Sequence, residues 1–128
     1  MPRDVPLDAE LSLDQPPLDQ PQSLDLTITV EQPGRVLALR GRLSARTVAE
    51  GRVALVEAMA VGSEVLVVDI SGLQLVDASG LGMLVGAHRL ALRSERELVL
   101  RGVPERIERL LAVTRLNRVL RAEDPIRV

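Results

Sequence analysis

The sequence predicts a single α/β domain, a mixed sheet of four to five strands packed with helices. Three observations point there. Residues 24–40 alternate like a hairpin, Glu64–Ile70 is a near-continuous apolar run, and helix-length segments alternate with strands from about residue 47 onward. At 128 residues, with 46% hydrophobic and 27% charged, the chain has the size and composition of one globular unit.

Residues 1–23 stand apart. Asp4, Asp8, Glu10, Asp14 and Asp19 face a single Arg3, and Pro2, Pro6, Pro16, Pro17 and Pro21 interrupt any periodicity. Leu-Asp recurs at Leu7-Asp8, Leu13-Asp14, Leu18-Asp19 and Leu24-Asp25 as a low-complexity echo. We expect an acidic, proline-rich, disordered tail over 1–23 and a folded domain over 24–128. The segment lacks the basic start and apolar run of a secretory leader, and no stretch is apolar enough to span a bilayer, so a cytoplasmic location is expected.

In the first strand Leu24, Leu26, Ile28 and Val30 alternate with Asp25, Thr27 and Thr29, a period of two. Pro33-Gly34 then makes a turn in which Gly34 can take positive φ. Arg35–Arg40 is the second strand of an antiparallel hairpin, and Gly41-Arg42-Leu43-Ser44 ends it. A helix is expected over about Thr47–Ala60, with Val48, Val53, Val56 and Met59 on its apolar side. The Glu64–Ile70 run, with Val67 at its centre, reads as a central strand buried on both faces, as in parallel sheets. A loop through Ser71-Gly72 follows, then a long helix from about Asp77–Gly80 to Arg93. Glu97–Arg101 is a short strand. Pro104 opens a last helix carrying Ile107, Leu110, Leu111 and Leu116, and a short edge strand is possible near Ile126–Val128.

Composition narrows the chemistry. With no aromatic residue, there is nothing to stack bases or cage cationic ligands. With no cysteine there are no disulfides, thiol nucleophiles or thiolate metal sites. The single histidine, His88, leaves one imidazole for acid–base work, and a net charge of −2 argues against general nucleic-acid binding. No cofactor or metal site is expected, and no catalytic residue.

The informative segment is Asp77–Gly86. Asp77 and Ser79 are both good helix N-caps. Gly80 and Gly82 in the first turn each cost roughly 1 kcal/mol relative to Ala. Either close packing on the sheet or close approach by a foreign backbone or phosphate would explain them. On a helical wheel Leu81, Leu84, Val85, Ala87, His88, Ala91 and Leu92 share the arc facing the sheet. Gly82, Gly86, Arg89 and Arg93 share the opposite arc, and Ser79 lies at its border beside Met83. That is a flat glycine strip flanked by arginines, a shape for docking.

Val67-Val68-Asp69-Ile70-Ser71-Gly72-Leu73 followed by Val76-Asp77-Ala78-Ser79-Gly80-Leu81-Gly82 resembles the core signature of the STAS domain of bacterial anti-sigma factor antagonists. Gly41-Arg42-Leu43-Ser44 sits where that family often has Gly-Glu-Leu-Asp, and Val103–Leu120 looks like its C-terminal helix and turn. The resemblance covers roughly residues 24–120. It implies a cytoplasmic antagonist that binds a kinase-type anti-sigma factor and frees a sigma factor, is switched off by phosphorylation of Ser79, and is restored by a serine phosphatase. Asp77, Ala78, Ser79, Gly80, Gly82, Met83, Gly86 and Ser44 would then form the partner surface, with Ser44 departing from the family's usual Asp. The sequence also departs in having Leu75 and Val76 where an aromatic commonly precedes the core.

Two other readings stand beside this one. The chain can serve as a stressosome scaffold or as the accessory subunit of a lipid or anion transporter. Alternatively, Ser79 is an enzyme's nucleophile, which requires His88 within its reach. Ser79 and Asp77 also each have a plain structural reading as caps, and His88 one as a core residue.

Overall fold

Alternating side chains and a tight turn make the hairpin, and the rest of the sheet grows from its second strand. The computed structural model describes residues 25–123. The tail expected over 1–23 and the strand expected near Ile126–Val128 lie outside the described residues. The elements are β1 (Leu26–Gln32), β2 (Val36–Leu43), α1 (Val48–Ala60), β3 (Val65–Val76), α2 (Ala78–Arg93), β4 (Glu97–Arg101), α3 (Glu105–Val113), a one-turn 3-10 helix (Leu116–Arg118) and β5 (Arg121–Ala122). The five-stranded sheet runs β1-β2-β3-β4-β5. β1 and β2 are antiparallel and every other neighbouring pair is parallel. The hairpin turn needs Gly34: its φ is +73°, and a Cβ there would lie 2.1 Å from the Val61 carbonyl oxygen.

β3 departs from the sequence reading in two ways. It does not break at Ser71-Gly72 but continues to Val76. Its pairing with β2 shifts between Asp69 and Gly72 and again between Leu73 and Leu75, each time giving β3 one extra residue. The bulges rephase the strand, so Leu66, Val68, Ile70, Leu73 and Val76 are all buried although their spacing is not a uniform two. Nor is the strand buried on both faces. Val67 and Asp69 are only half-buried, because α1, α2 and α3 contribute to one core cluster on the face of Leu66, Val68 and Ile70.

Helix α1 presents a different face from the one expected. Val53 and Val56 are 55% and 44% exposed, and Gly51, Leu55, Ala58 and Met59 are buried. The reason is a second partner: α1 packs on α2 as well as on the sheet. A Cβ at Gly51 would sit 3.1 Å from Met83 Cε, so the missing side chain makes room for that methionine. Pro104 caps α3 rather than opening it, and Arg115, at φ 63°, ends that helix region before Leu116. Leu116 therefore belongs to the 3-10 turn.

One buried cation ties the hairpin turn to the end of α1. Arg96 is 5% exposed. Its guanidinium donates to the carbonyls of Ala58, Met59, Val61, Ser63, Glu64 and Gly34, at 2.5–3.4 Å. Ala58 and Met59 lie in α1's last turn, where carbonyls lack helical i+4 partners and the helix dipole also favours a cation, although the Ala58 carbonyl accepts from the Val61 N–H as well. Arg96→Met keeps the apolar stem but strands those carbonyls. Urea denaturation should show a loss of roughly 3 kcal/mol with unchanged m-value. A loss below roughly 0.5 kcal/mol would contradict this role.

Candidate functional site

The site is the junction where β2 ends, β3 ends and α2 begins. Asp77 is the N-cap of α2, in extended conformation (φ −101°, ψ −173°). Its Oδ1 accepts from the Gly80 N–H at 2.9 Å, and its Oδ2 accepts from the Ala45 N–H at 3.1 Å. Its own N–H donates to the Leu43 carbonyl at 3.2 Å. One carboxylate thus holds both the start of α2 and the loop after β2.

Ser44 shapes that loop. Its backbone N–H donates to Thr47 Oγ1 at 3.0 Å, and its Oγ accepts from the Arg46 N–H at 3.3 Å. Buried Thr47 in turn donates from Oγ1 to the Arg42 carbonyl at 2.8 Å. The half-buried Ser44 hydroxyl is therefore engaged within its own loop.

The glycines divide by purpose. Gly80 is buried, and a Cβ there would lie 2.4 Å from the Leu43 carbonyl oxygen, so close packing accounts for it. Gly82 and Gly86 are exposed, and a Cβ at either meets nothing within 4 Å. Neither has positive φ. The fold does not require glycine at either position.

Ala78 and Ser79 occupy the first turn of α2, both exposed. Met83, placed by the wheel beside Ser79, is 3% exposed and faces the core. Gly80 and Met83 therefore support the strip from beneath and do not present surface to a partner. The wheel errs in the other direction at Leu92, which is 56% exposed. Packing against α1 at Gly51 turns the buried arc toward Met83. The exposed strip of Ala78, Ser79, Gly82 and Gly86 continues into a shallow groove of about 230 Å³ between α1 and α2, bordered by Arg52, Val56, Leu90 and Arg93.

His88 does not meet Ser79. They stand nine positions apart on the helix, about 13.5 Å along its axis. Among the described residues, no cluster of three or more His, Asp or Glu side chains is placed to hold a metal ion.

Two carboxyls near this end of the sheet titrate below the ordinary range. At Asp77 the Gly80 hydrogen bond lowers the pKa most. Desolvation opposes it, and the Ala45 hydrogen bond adds to the lowering. At Asp69, which ends the apolar run and is expected from the sequence to fix the segment after it by hydrogen bonding, desolvation pushes up. Hydrogen bonds from the Ser71 N–H and hydroxyl and from Arg101 outweigh it. Arg101 bridges Asp69 to Glu31 at 2.9 and 3.2 Å, crossing from β4 to the edge strand β1 over the helix-free face. Lowered folded-state values mean that both carboxylates stabilise the fold above the unfolded carboxyl pKa of about 4. That contribution drains away as pH falls through their lower folded values.

Asp77→Ala frees two amides. Hydrogen exchange at Ala45 and Gly80 should accelerate at least about tenfold, with exchange in β3 and β4 changed far less. Unchanged protection at Ala45 would show that the carboxylate does not hold the loop.

The family model described as Mlab, STAS domain, matches residues 28–122. An anti-sigma-B factor antagonist of Staphylococcus aureus is 26% identical over 102 residues, covering 80% of this chain and 94% of its own. The crystal structure of an anti-sigma factor antagonist from Mycobacterium paratuberculosis superposes with a TM-score of 0.62 at 22% identity, over 85% of this chain and 92% of that one. The murine Slc26a9 anion transporter contains a similar unit, with a TM-score of 0.57 at 15% identity, over 65% of this chain and 14% of the transporter. At these identities the two structures speak to the fold.

Proposed function

The chain belongs to the STAS domain family, and from that premise we propose that it is an anti-sigma factor antagonist whose binding face is the Ser79–Gly82–Gly86 strip. One observation carries the reading: two exposed helical glycines that the fold does not need. Each gives up roughly 1 kcal/mol of helix stability relative to Ala. An external constraint explains their presence, namely a partner whose backbone must lie close against α2. Asp77 and the Ser44 loop frame the approach, and Arg89 and Arg93 flank it with positive charge suited to partner carboxylates.

In this reading the partner is a serine kinase of the anti-sigma type, and binding it frees a sigma factor. The kinase transfers the γ-phosphoryl group of ATP to Ser79 Oγ; the hydroxyl gives up its proton and ADP leaves. Ser79 is suited to the step because it is exposed on the first turn of a 16-residue helix. The product dianion sits at the positive end of the helix dipole, so the fold tolerates it. The partner does not. The bulky anion occupies the space that the glycines leave open, and Asp77 adds like charge on the same edge. A serine phosphatase reverses the switch. The role is that of a cytoplasmic regulator, with no catalytic residue of its own.

The family model's description and the likeness to a unit of an anion transporter favour one second reading, an accessory subunit of a lipid or anion transporter. Among the described residues no helix is long and apolar enough to cross a membrane.

Ser79→Ala should keep its affinity for the kinase, and Ser79→Asp should lose at least about tenfold, with thermal melts of both near wild type. Equal affinities, or a collapsed Ser79→Asp fold, would sink the switch. Gly82→Ala and Gly86→Ala should each raise stability by up to about 1 kcal/mol while weakening the complex. Binding unaffected by both would remove the strip from the interface.

A further inference from the structure

The groove between α1 and α2 carries charge of one sign. Its charged lining residues are Arg52 and Arg93, and the remainder, including Val56, Met59, Met83 and Leu90, is apolar or glycine. Both arginines are exposed, and among the described residues neither forms an ion pair. They mark opposite ends of the groove. Arg52 follows Gly51, the residue that makes room for Met83, and Arg93 closes α2. From Met83 to Arg93 is ten positions of helix, about 15 Å.

An acidic segment of the chain itself is tethered at one end of this groove. Residues 1–24 lie ahead of β1, outside the described residues, and carry Asp4, Asp8, Glu10, Asp14 and Asp19 against Arg3. They join the domain through Asp25 and Leu26. A Cβ at Gly51 would meet Leu26 Cδ2 at 3.5 Å, just as it would meet Met83 Cε at 3.1 Å, so the chain enters beside the Arg52 end. Asp19 is six positions before Asp25, a reach of roughly 20 Å when extended. Leu13-Asp14 and Leu18-Asp19 are five positions apart across Pro16-Pro17, and an extended proline-containing segment of that length covers about 15 Å. The spacing of the two Leu-Asp pairs therefore matches the length of the groove.

We propose that residues 13–19 dock in the α1–α2 groove, with Asp19 against Arg52, Asp14 against Arg93 and both leucines on the apolar lining between them. Exposed ion pairs are individually weak, but a tether this short holds the segment at an effective concentration on the order of millimolar, so a weak contact suffices. The docked segment covers Gly82 and Gly86. It thereby competes with the partner, a consequence that rests on the reading of that strip as the partner's face.

The chain has no cysteine, so Gln15→Cys carries a single nitroxide, and amide NMR signals of the full chain report where it sits. Broadening centred on residues 52–59 and 83–93 is expected, falling off toward α3. Asp14→Arg with Asp19→Arg should restore those signals. Adding Arg52→Asp with Arg93→Asp should broaden them again, a swap that a merely tethered segment would not follow. Broadening over the helix-free face of the sheet, broadening unchanged by the two tail arginines, or broadening passed only between separate molecules in a mixed sample would each overturn the proposal. Without the label, Asp14→Asn with Asp19→Asn should bind the proposed kinase partner roughly threefold more tightly than wild type. A docked segment with no change in that affinity would uphold the docking and contradict the strip as the partner's face.

Discussion

The proposed binding face depends on one carboxylate. Asp77 holds the Ala45 and Gly80 amides with its two oxygens, and its own amide meets the Leu43 carbonyl. The end of β2, the loop after it and the first turn of α2 are thereby fixed to a single residue. Gly80 completes the junction by letting α2 begin almost in contact with the Leu43 carbonyl. Without that approach Ser79 would stand farther out, and the Ser44 loop would not border it. The charged form of Asp77 is the one that accepts both bonds, which is why its pKa is lowered.

In the proposed reading, stability and binding draw on different glycines of the same helix. Gly80 serves packing, and replacing it would push α2 off the sheet. Gly82 and Gly86 weaken the helix and serve nothing inside the molecule. A surface kept smooth at the expense of helix propensity is a mark of recognition, because a protein selected for stability alone would carry alanine there. In that reading a phosphate at the head of the strip would change what can dock while leaving the core, to which Leu81, Leu84 and Ala87 belong, undisturbed.

Much of this was legible in the sequence. The hairpin, the Gly34 turn, the Glu97–Arg101 strand and the extent of α2 follow from periodicity and turn chemistry, which are local. The Asp77–Gly82 motif pointed to the family. What escaped was set by contacts between elements. The α1 face was misjudged because valines at helical spacing look like a core stripe, whereas Gly51, a residue without a side chain, is where Met83 packs. The same contact turned α2, hiding Met83 and exposing Leu92. The two bulges of β3 could not be read, since a bulge is a mismatch in pairing with β2, and Ser71-Gly72 by itself signals a loop. Nothing in the sequence marks Arg96, since an arginine beside glutamates reads as solvated surface. Only the fold brings six carbonyls around it.

The central claim is that a partner lies directly on the exposed strip of α2. Amide hydrogen exchange of the chain, alone and saturated with the proposed kinase partner in the absence of ATP, tests it most directly. Added protection centred on residues 78–90 and the 44–47 loop, with the β1 edge and α3 unchanged, is the predicted result. Protection confined to α3, β5 or the helix-free face of the sheet, with exchange across 78–90 unaltered, would contradict it.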